Sequence, residues 1–280
     1  GVGVAAAGQI FFTLSVGMGS IHCYASYLRA KDDVALNAMS AGWMNEFVEV
    51  VLGGAVVIPI TVGYFGIDGM IELVNRAGGL GLGFRTLPYL FQQWGPVLSV
   101  LAGGFLFGFL FFLGVTSPLA LGTPIIGFFP DEFNWRRQPA AWAFGFMVLL
   151  LGLPTVIFFN QGVFDEYDYW VGTVSLVIFA LFEIILFAWV FGIDKGWKEI
   201  NDGADIKVPI IFKYIIKYIT PLLIGFVFIG SLPGIWAQIT GEYPWQVHAS
   251  RALLLGIWIA IALVVNYAYR KRLKEGRFTS

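Results

Sequence analysis

The sequence predicts an all-α integral membrane protein with seven transmembrane helices, the first of them broken. Three observations carry that reading. Of 280 residues, 58% are hydrophobic and 12% are charged, against about 25% charged in an ordinary soluble domain. The apolar residues gather into runs long enough to cross a bilayer, which takes roughly 20 residues in a helix. The first run also carries a cluster of small polar residues at its middle.

The apolar runs fall at 1–28, 35–66, 96–129, 138–159, 167–193, 211–232 and 249–269. In the first, "FFTLSVGMGS" places Thr13, Ser15, Gly17, Gly19 and Ser20 at membrane depth. Two arrangements satisfy such a pattern. Either the helix unwinds near Ser15–Gly19 and its freed backbone groups line a cavity, or the small residues form a face for close helix packing. An unwound centre would offer amides near Gly19 to an anion and carbonyls near Thr13 to a cation.

The second run contains "NEFVEVVLGG", with Asn45 and Glu49 at i, i+4 on one face and Glu46 beside them. A carboxylate at mid-membrane costs about 2.5–3.5 kcal/mol. Glu49 therefore faces the bundle interior and reads as functional, whereas Glu46, nearer the cytoplasmic end, reads as solvated. The stretch "IDGMIELVNRAGGLGLGFRTLPYLFQQWG" at 67–95 is too polar to span, and reads as an extracellular helical hairpin around Gly78–Gly83. In the third run, "GVTSPLALGTP" sets Thr116 and Ser117 before Pro118, whose missing N–H frees a carbonyl near Gly114. Hydroxyls with a freed carbonyl suit a small hard cation; hydroxyl back-bonding at a proline kink is the equal alternative. The runs at 138–159, 211–232 and 249–269 are plain apolar spans. The run at 167–193 holds a lone acid, Glu183, read as a buried hydrogen-bonded structural group, with Asp165, Glu166 and Asp168 at its outer mouth.

All the basic residues except Arg76, Arg85 and Arg251 sit in alternate loops or in the tail at 270–280. By the positive-inside rule those loops and the C-terminus are cytoplasmic, in a multi-pass protein of the plasma (inner) membrane. The tail reads as a stop-transfer anchor. A net charge of −1 gives no footing for nucleic acid. Cys23 is the single cysteine and has no internal disulfide partner, and no Cys/His cluster suits zinc. His22 and His248 are isolated and read as packing or interfacial residues. No P-loop, nucleophile elbow or zinc signature appears, so no enzyme is expected. The chain opens inside an apolar segment with no basic lead-in, and no internal repeat is visible. The expectation is the C-terminal portion of a longer transporter whose N-terminal helices are missing.

At these residues a resemblance adds what spacing does not supply. "AAGQIFFTLSVGMG", "YASYLR", "NEFVEVVLGG", "GVTSPLA", "DEYDYWVGT" and "KYITP" together resemble the neurotransmitter:sodium symporter family, bacterial amino-acid type. The similarity covers the sixth to twelfth helices and runs from Gly1 to the last span. It implies a partial LeuT-like inverted-repeat transporter fold. Phe12, Thr13, Ser15, Gly17, Met18, Ser117 and Leu121 would then border the substrate, with Phe12 as a lid and Met18 as a pocket wall. Thr13 and Asn45 match ligands of one sodium ion; Thr116, Ser117 and the Leu113 carbonyl match those of a second. Asp168 matches the acid of the extracellular gate, and Asp131, with Ser26 and Tyr27, the cytoplasmic gate. Glu49, with Gln9 as its neighbour, stands where chloride-dependent relatives hold a serine, and so resembles a built-in charge replacing chloride. Met18 stands where some relatives have Phe, and Pro118 where some have Ser.

The implied function is sodium-coupled symport of a hydrophobic or aromatic amino acid by alternating access, independent of chloride. Sodium is the only cofactor implied, with no organic one; the partners are the amino acid, sodium and the lipid bilayer. A non-transporting amino-acid sensor or a channel subunit of the same fold is the alternative. Accumulation against a gradient separates either from a transporter.

Overall fold

The computed structural model describes residues 2–29, 31–81, 83–84 and 87–276, and among them every regular element is helical. Six helical stretches are long and apolar enough to cross a membrane: Val34–Glu72, Pro96–Phe133, Arg137–Ile157, Val163–Asn201, Ile211–Thr240 and Trp245–Lys274. The first apolar run is two helices, α1 (Val2–Thr13) and α2 (Ser20–Ala25). At 1.5 Å per residue α1 covers about 18 Å, short of the ~30 Å hydrocarbon core. The large apolar side chains point outward, Phe105 and Phe226 each 78% exposed. A soluble fold buries such residues, but lipid tails are as apolar as a protein core, so no penalty attaches here.

The chain divides into two compact units, 36–120 and the remainder. In the smaller unit, α3 (Val34–Glu46) passes into a π-helical segment, Phe47–Gly53, and on into α4 (Gly54–Gly81). The helix of the second span therefore does not stop at 66. Helical turns continue to Gly81, and the expected boundary is marked only by Gly66, at φ +71°. The helical hairpin expected at 67–95 appears as the end of α4 followed by α5 (Leu87–Gln92); residues 82, 85 and 86 between them lie outside the described residues. The ring of Phe65 on α4 meets that of Tyr89 on α5 at 5.6 Å. Next comes α6 (Pro96–Phe133), which runs through Pro118 without interruption.

The larger unit begins with α1 and α2 and resumes in the second half of α6. It continues with α7 (Arg137–Ile157), α8 (Val163–Tyr167), a π-helical segment Asp168–Ser175, and α9 (Leu176–Ile185). A second π segment, Leu186–Gly192, leads to α10 (Ile193–Asn201). Gly192, at φ +99°, turns the backbone between the two. Beyond it α10 is short and charged, burying only Ile193 and Gly196. A short α11 (Ile211–Tyr214) and a π turn precede α12 (Thr220–Thr240), and α13 (Trp245–Lys274) closes the chain. The core lies where α1, α9 and α12 meet: Val177, Ala180 and Ile224 are buried, with Phe11, Val16, Leu181, Ile184, Val227 and Phe228 packed against them.

Two ion pairs with buried carboxylates fasten this unit. At one end Glu166 on α8 is 2% exposed. It accepts hydrogen bonds from Arg251 Nε (2.6 Å), Trp170 Nε1 (2.5 Å) and Gln238 Nε2 (3.0 Å). Arg251 also donates to the Gln238 carbonyl (2.8 Å) and lies over the Tyr243 ring. One carboxylate thus joins α8, α12 and α13. At the other end, Arg272 donates to the buried Glu132 carboxylate from both Nε and a terminal nitrogen. Lys271 Nζ donates to the Glu132 carbonyl at 2.6 Å, a cation placed at the C-terminal end of α6 where the helix dipole favours it. Residues 270–274, expected as free tail, therefore belong to α13 and hold the end of α6.

Removing one partner of a buried pair leaves an uncompensated charge and typically costs about 3–5 kcal/mol. Arg251→Ala is expected to lower thermal stability in detergent clearly, and Arg251→Ala combined with Glu166→Gln to lower it less than the two single changes added together. Unfolding midpoints of the three variants check this.

Candidate functional site

The site begins at the break. Helix α1 stops at Thr13 and α2 starts at Ser20, with turns between them. Ser15, Gly17 and Gly19 all adopt left-handed conformations, at φ +56°, +77° and +78°. Three such residues in five cannot belong to a right-handed helix, and for the non-glycine Ser15 the conformation itself costs about 1–2 kcal/mol. Unwinding, rather than a small-residue packing face, is thus what the segment does. Some backbone groups are satisfied locally, Ser15 N–H by the Phe12 carbonyl (3.1 Å) and Val16 N–H by Phe11 (2.9 Å). The Gly17 N–H is not. It donates across to Glu183 Oε2 on α9, at 3.2 Å.

That bond decides several identities at once. Val16 packs into the core, drawing the loop toward α9. A Cβ on Gly17 would sit 3.0 Å from Phe179 Cβ and 3.3 Å from the Leu176 carbonyl, so the approach requires glycine for space as well as for φ. Glu183 is hydrogen-bonded, as expected of it, but its partner is the break itself. His22, expected to be isolated, places Nδ1 3.9 Å from Glu183 Oε1.

Alongside α1, reaching Phe12 but not the unwound residues, lies a cavity of about 460 Å³, lined by Gln9, Phe12, Asp168, Thr173 and Ser231 among others; of the expected substrate residues only Phe12 lines it. The structure thus brings together the expected lid, the expected outer gate acid and Gln9. Gly172 is what lets them meet: a Cβ there would stand 2.8 Å from Asp168 Oδ1 and 3.9 Å from the Phe12 ring. Gly8 on α1 similarly faces Thr173 Cγ2 at 3.1 Å. Asp168 opens the π segment, and such widened turns recur where helices carry function. Leu121 lies exposed on α6, and Met18 is half-buried in the break. At the far end Ser26 donates to the Cys23 carbonyl (2.5 Å), Tyr27 is exposed, and Asp131 sits exposed on the last turn of α6.

In the smaller unit, Asn45 lies in the last turn of α3 and Glu49 in the π segment. Residues four apart stay on about one face in either kind of turn, so the two remain on the same side of the helix. Glu46, expected to be solvated, instead has Oε1 shielded from solvent with no hydrogen-bond partner among the described residues. At Thr116 the hydroxyl donates to the Phe112 and Leu113 carbonyls, at 2.9 and 3.2 Å. Back-bonding is therefore the arrangement present, and it holds two of the expected sodium oxygens, Thr116 Oγ1 and Leu113 O, next to each other. Ser117 is exposed beside them. Among the described residues no cluster of His, Cys, Asp and Glu suits a tightly bound metal.

Residues 1–274 match the sodium:neurotransmitter symporter family. The chain belongs to that family. Its members are transporters, not enzymes. The chain is 28% identical over 268 residues to an uncharacterized sodium-dependent transporter of Methanocaldococcus jannaschii, covering 95% of this chain and 54% of that protein. It is 27% identical over 261 residues to sodium-dependent nutrient amino acid transporter 1 of Drosophila grimshawi, covering 89% and 41%. The Drosophila ananassae transporter of the same name is 28% identical over 280 residues, covering 97% and 43%. The chain thus spans about half the length of these relatives.

The residue that sequence reading placed but undervalued is Glu183. Its signal was a lone acid in a 16-residue apolar window, with no Lys or Arg at its depth to pair with. Glu166 was legible in the same way from the other side: Arg251, a lone cation at the start of an apolar span, needs an acid. Gly17→Ala is expected to cost about 1–2 kcal/mol from the left-handed backbone alone, with the Phe179 collision in addition. Gly145→Ala, where a Cβ meets nothing within 4 Å, is expected to be neutral. Thermal midpoints of the two purified variants compare them directly.

Proposed function

We propose that the protein is a sodium-coupled symporter of a hydrophobic or aromatic amino acid that works by alternating access without chloride, this chain forming its C-terminal portion. The observation that carries the reading is the break at 14–19, its backbone turned out of helical bonding and anchored by one carboxylate, with Phe12 just before it lining a cavity. Family membership supports sodium dependence, and the names of the Drosophila relatives support an amino acid as cargo. Phe12, Thr13, Ser15, Gly17, Met18, Ser117 and Leu121 border the substrate. The flexible thioether of Met18 adapts to varied apolar shapes, which favours a hydrophobic side chain.

Thr13 and Asn45 bind one sodium ion; Leu113 O, Thr116 and Ser117 bind another, the Thr116 hydroxyl turning from back-bonding to the ion. A carboxylate held beside a cation makes each favour the other's binding, which is a coupling free energy and hence reciprocal. Glu49, near Gln9, supplies the negative charge that chloride supplies elsewhere. Phe12 and Asp168 close the outer side; Asp131, Ser26 and Tyr27 the inner side. The C-terminus is cytoplasmic, in the plasma (inner) membrane, and the helices preceding this portion complete the transporter.

In proteoliposomes of the full-length protein, Asn45→Ala is expected to weaken sodium and amino-acid binding together, each by tenfold or so for a lost coupling of about 1–3 kcal/mol. Loss of sodium affinity alone, with substrate binding unchanged at every salt concentration, overturns the coupling. Uptake is expected to continue when chloride is replaced by gluconate; collapse of uptake there removes the role given to Glu49.

A further inference from the structure

Glu183 divides its two oxygens between different parts of the broken helix. Oε2 takes the Gly17 amide of the unwound segment at 3.2 Å. Oε1 faces Nδ1 of His22, in the first turn of α2, at 3.9 Å. That distance is too long for a hydrogen bond, so the two groups stand next to each other without one. The His22 side chain is 68% exposed against 32% for Glu183.

Among the described residues the charges around this carboxylate are few. On α6, whose Pro124 lies against Gly19, the ionisable side chains are Asp131 and Glu132, about two turns further on. Helices α1, α9 and α12, which form the surrounding core, hold no ionisable side chain except Glu183 itself. On α2 the others are Cys23 and Tyr24. Asp168 and Tyr169, in the π segment packed on α9, lie about four turns away along the same helical run. Trp258 of α13 stacks on Phe179 of α9, and the nearest ionisable residues to it in that helix are Arg251 and Tyr267. Arg251 is already held by Glu166.

We infer that His22 is a positioning residue: by gaining a proton it sets how firmly Glu183 holds the unwound segment. This rests on the reading of that segment as the substrate-gripping centre. With His22 neutral, Glu183 anchors only the Gly17 amide. Once His22 is protonated, the imidazolium N–H closes on Oε1 in a charge-assisted bond, while Oε2 keeps the amide. The carboxylate then bridges the loop and the first turn of α2, and the two halves of the break become one fixed piece. The proton comes from bulk water and returns there when the loop opens. Acid therefore tightens substrate binding and slows release.

The test compares wild type, His22→Gln and His22→Arg in the full-length protein from pH 8.0 to 5.5, with the same pH on both sides of the membrane. The probes are tritiated leucine and tryptophan for sodium-dependent binding and uptake. A second readout is alkylation of Cys23 by N-ethylmaleimide, followed by peptide mass spectrometry. The ratio of variant to wild type removes the pH dependence common to both, and N-ethylmaleimide reactivity of the unfolded variants corrects for the charge beside the thiol. Wild type and His22→Gln are expected to agree at pH 8.0. At pH 5.5 the wild type is expected to bind about threefold more tightly and to alkylate about threefold more slowly than His22→Gln, the size of effect a partly exposed ion pair supplies. His22→Arg, charged throughout, is expected to show the acid behaviour at every pH. A variant-to-wild-type ratio for Cys23 alkylation that stays flat across the range overturns the inference, whatever the transport result. Absence of sodium-dependent binding and uptake in the wild type at every pH overturns the transport reading instead, and the alkylation ratio then decides the role of His22 alone.

Discussion

A backbone that leaves its helix inside an apolar layer has no water to bond with, and each N–H it frees needs an acceptor supplied by the protein. Leaving such a group bare costs a few kilocalories per mole. At Gly17 the acceptor is Glu183, and most of what surrounds the break follows from that single bond. Helix α9 must come close enough for a 3.2 Å contact, which Gly17 permits by having no side chain. Val16 must turn into the core between α9 and α12. Ser15 must accept a left-handed backbone that serine does not prefer. Gly8 and Gly172 continue the same close approach along α1 and carry it to the cavity that holds Phe12 and Asp168.

Three acids in the larger unit meet the cost of burial in three ways. Glu166 is neutralised by Arg251 and surrounded by further donors, an arrangement that favours a permanent joint among three helices. Glu132 has Arg272 on its carboxylate and Lys271 on its carbonyl, so side chain and helix end are both met by cations. Glu183 has a backbone amide and an imidazole whose charge depends on its surroundings. The first two are suited to holding, and the third to being adjusted. The division matches their positions: the fixed pairs sit toward the ends of the helices, and the adjustable one sits at the break.

The all-α membrane class was legible because it depends on quantities a sequence displays, namely run length and charge density. Boundaries at which the backbone changes course were also legible, since Gly17, Gly19 and Gly192 occupy conformations other residues avoid. What could not be read was the geometry of particular turns. Nothing in "FVEVVLG" announces an i→i+5 turn rather than an α-helical one. The long reach of α4 past Gly66 was hidden by the polarity of Asp68 and Glu72, which helices tolerate once they leave the hydrocarbon. Pairings distant in sequence were least visible: Glu183 with Gly17, and Glu132 with Arg272, need the fold before they can be seen.

The last of these pairings also imposes an order in time. Arg272 lies 140 residues after Glu132, so at about 5–20 residues per second the ribosome delivers the cation roughly 7–28 s after the acid. During that interval the end of α6 carries a carboxylate that has nothing to neutralise it and is disfavoured in its final, water-excluded position. The C-terminal end of α6 can therefore reach that position only once α13 has been made, after the three helical spans between them. Arrival of Lys271 and Arg272 lets it settle, so that end of α6 is among the last parts of this unit to take its place.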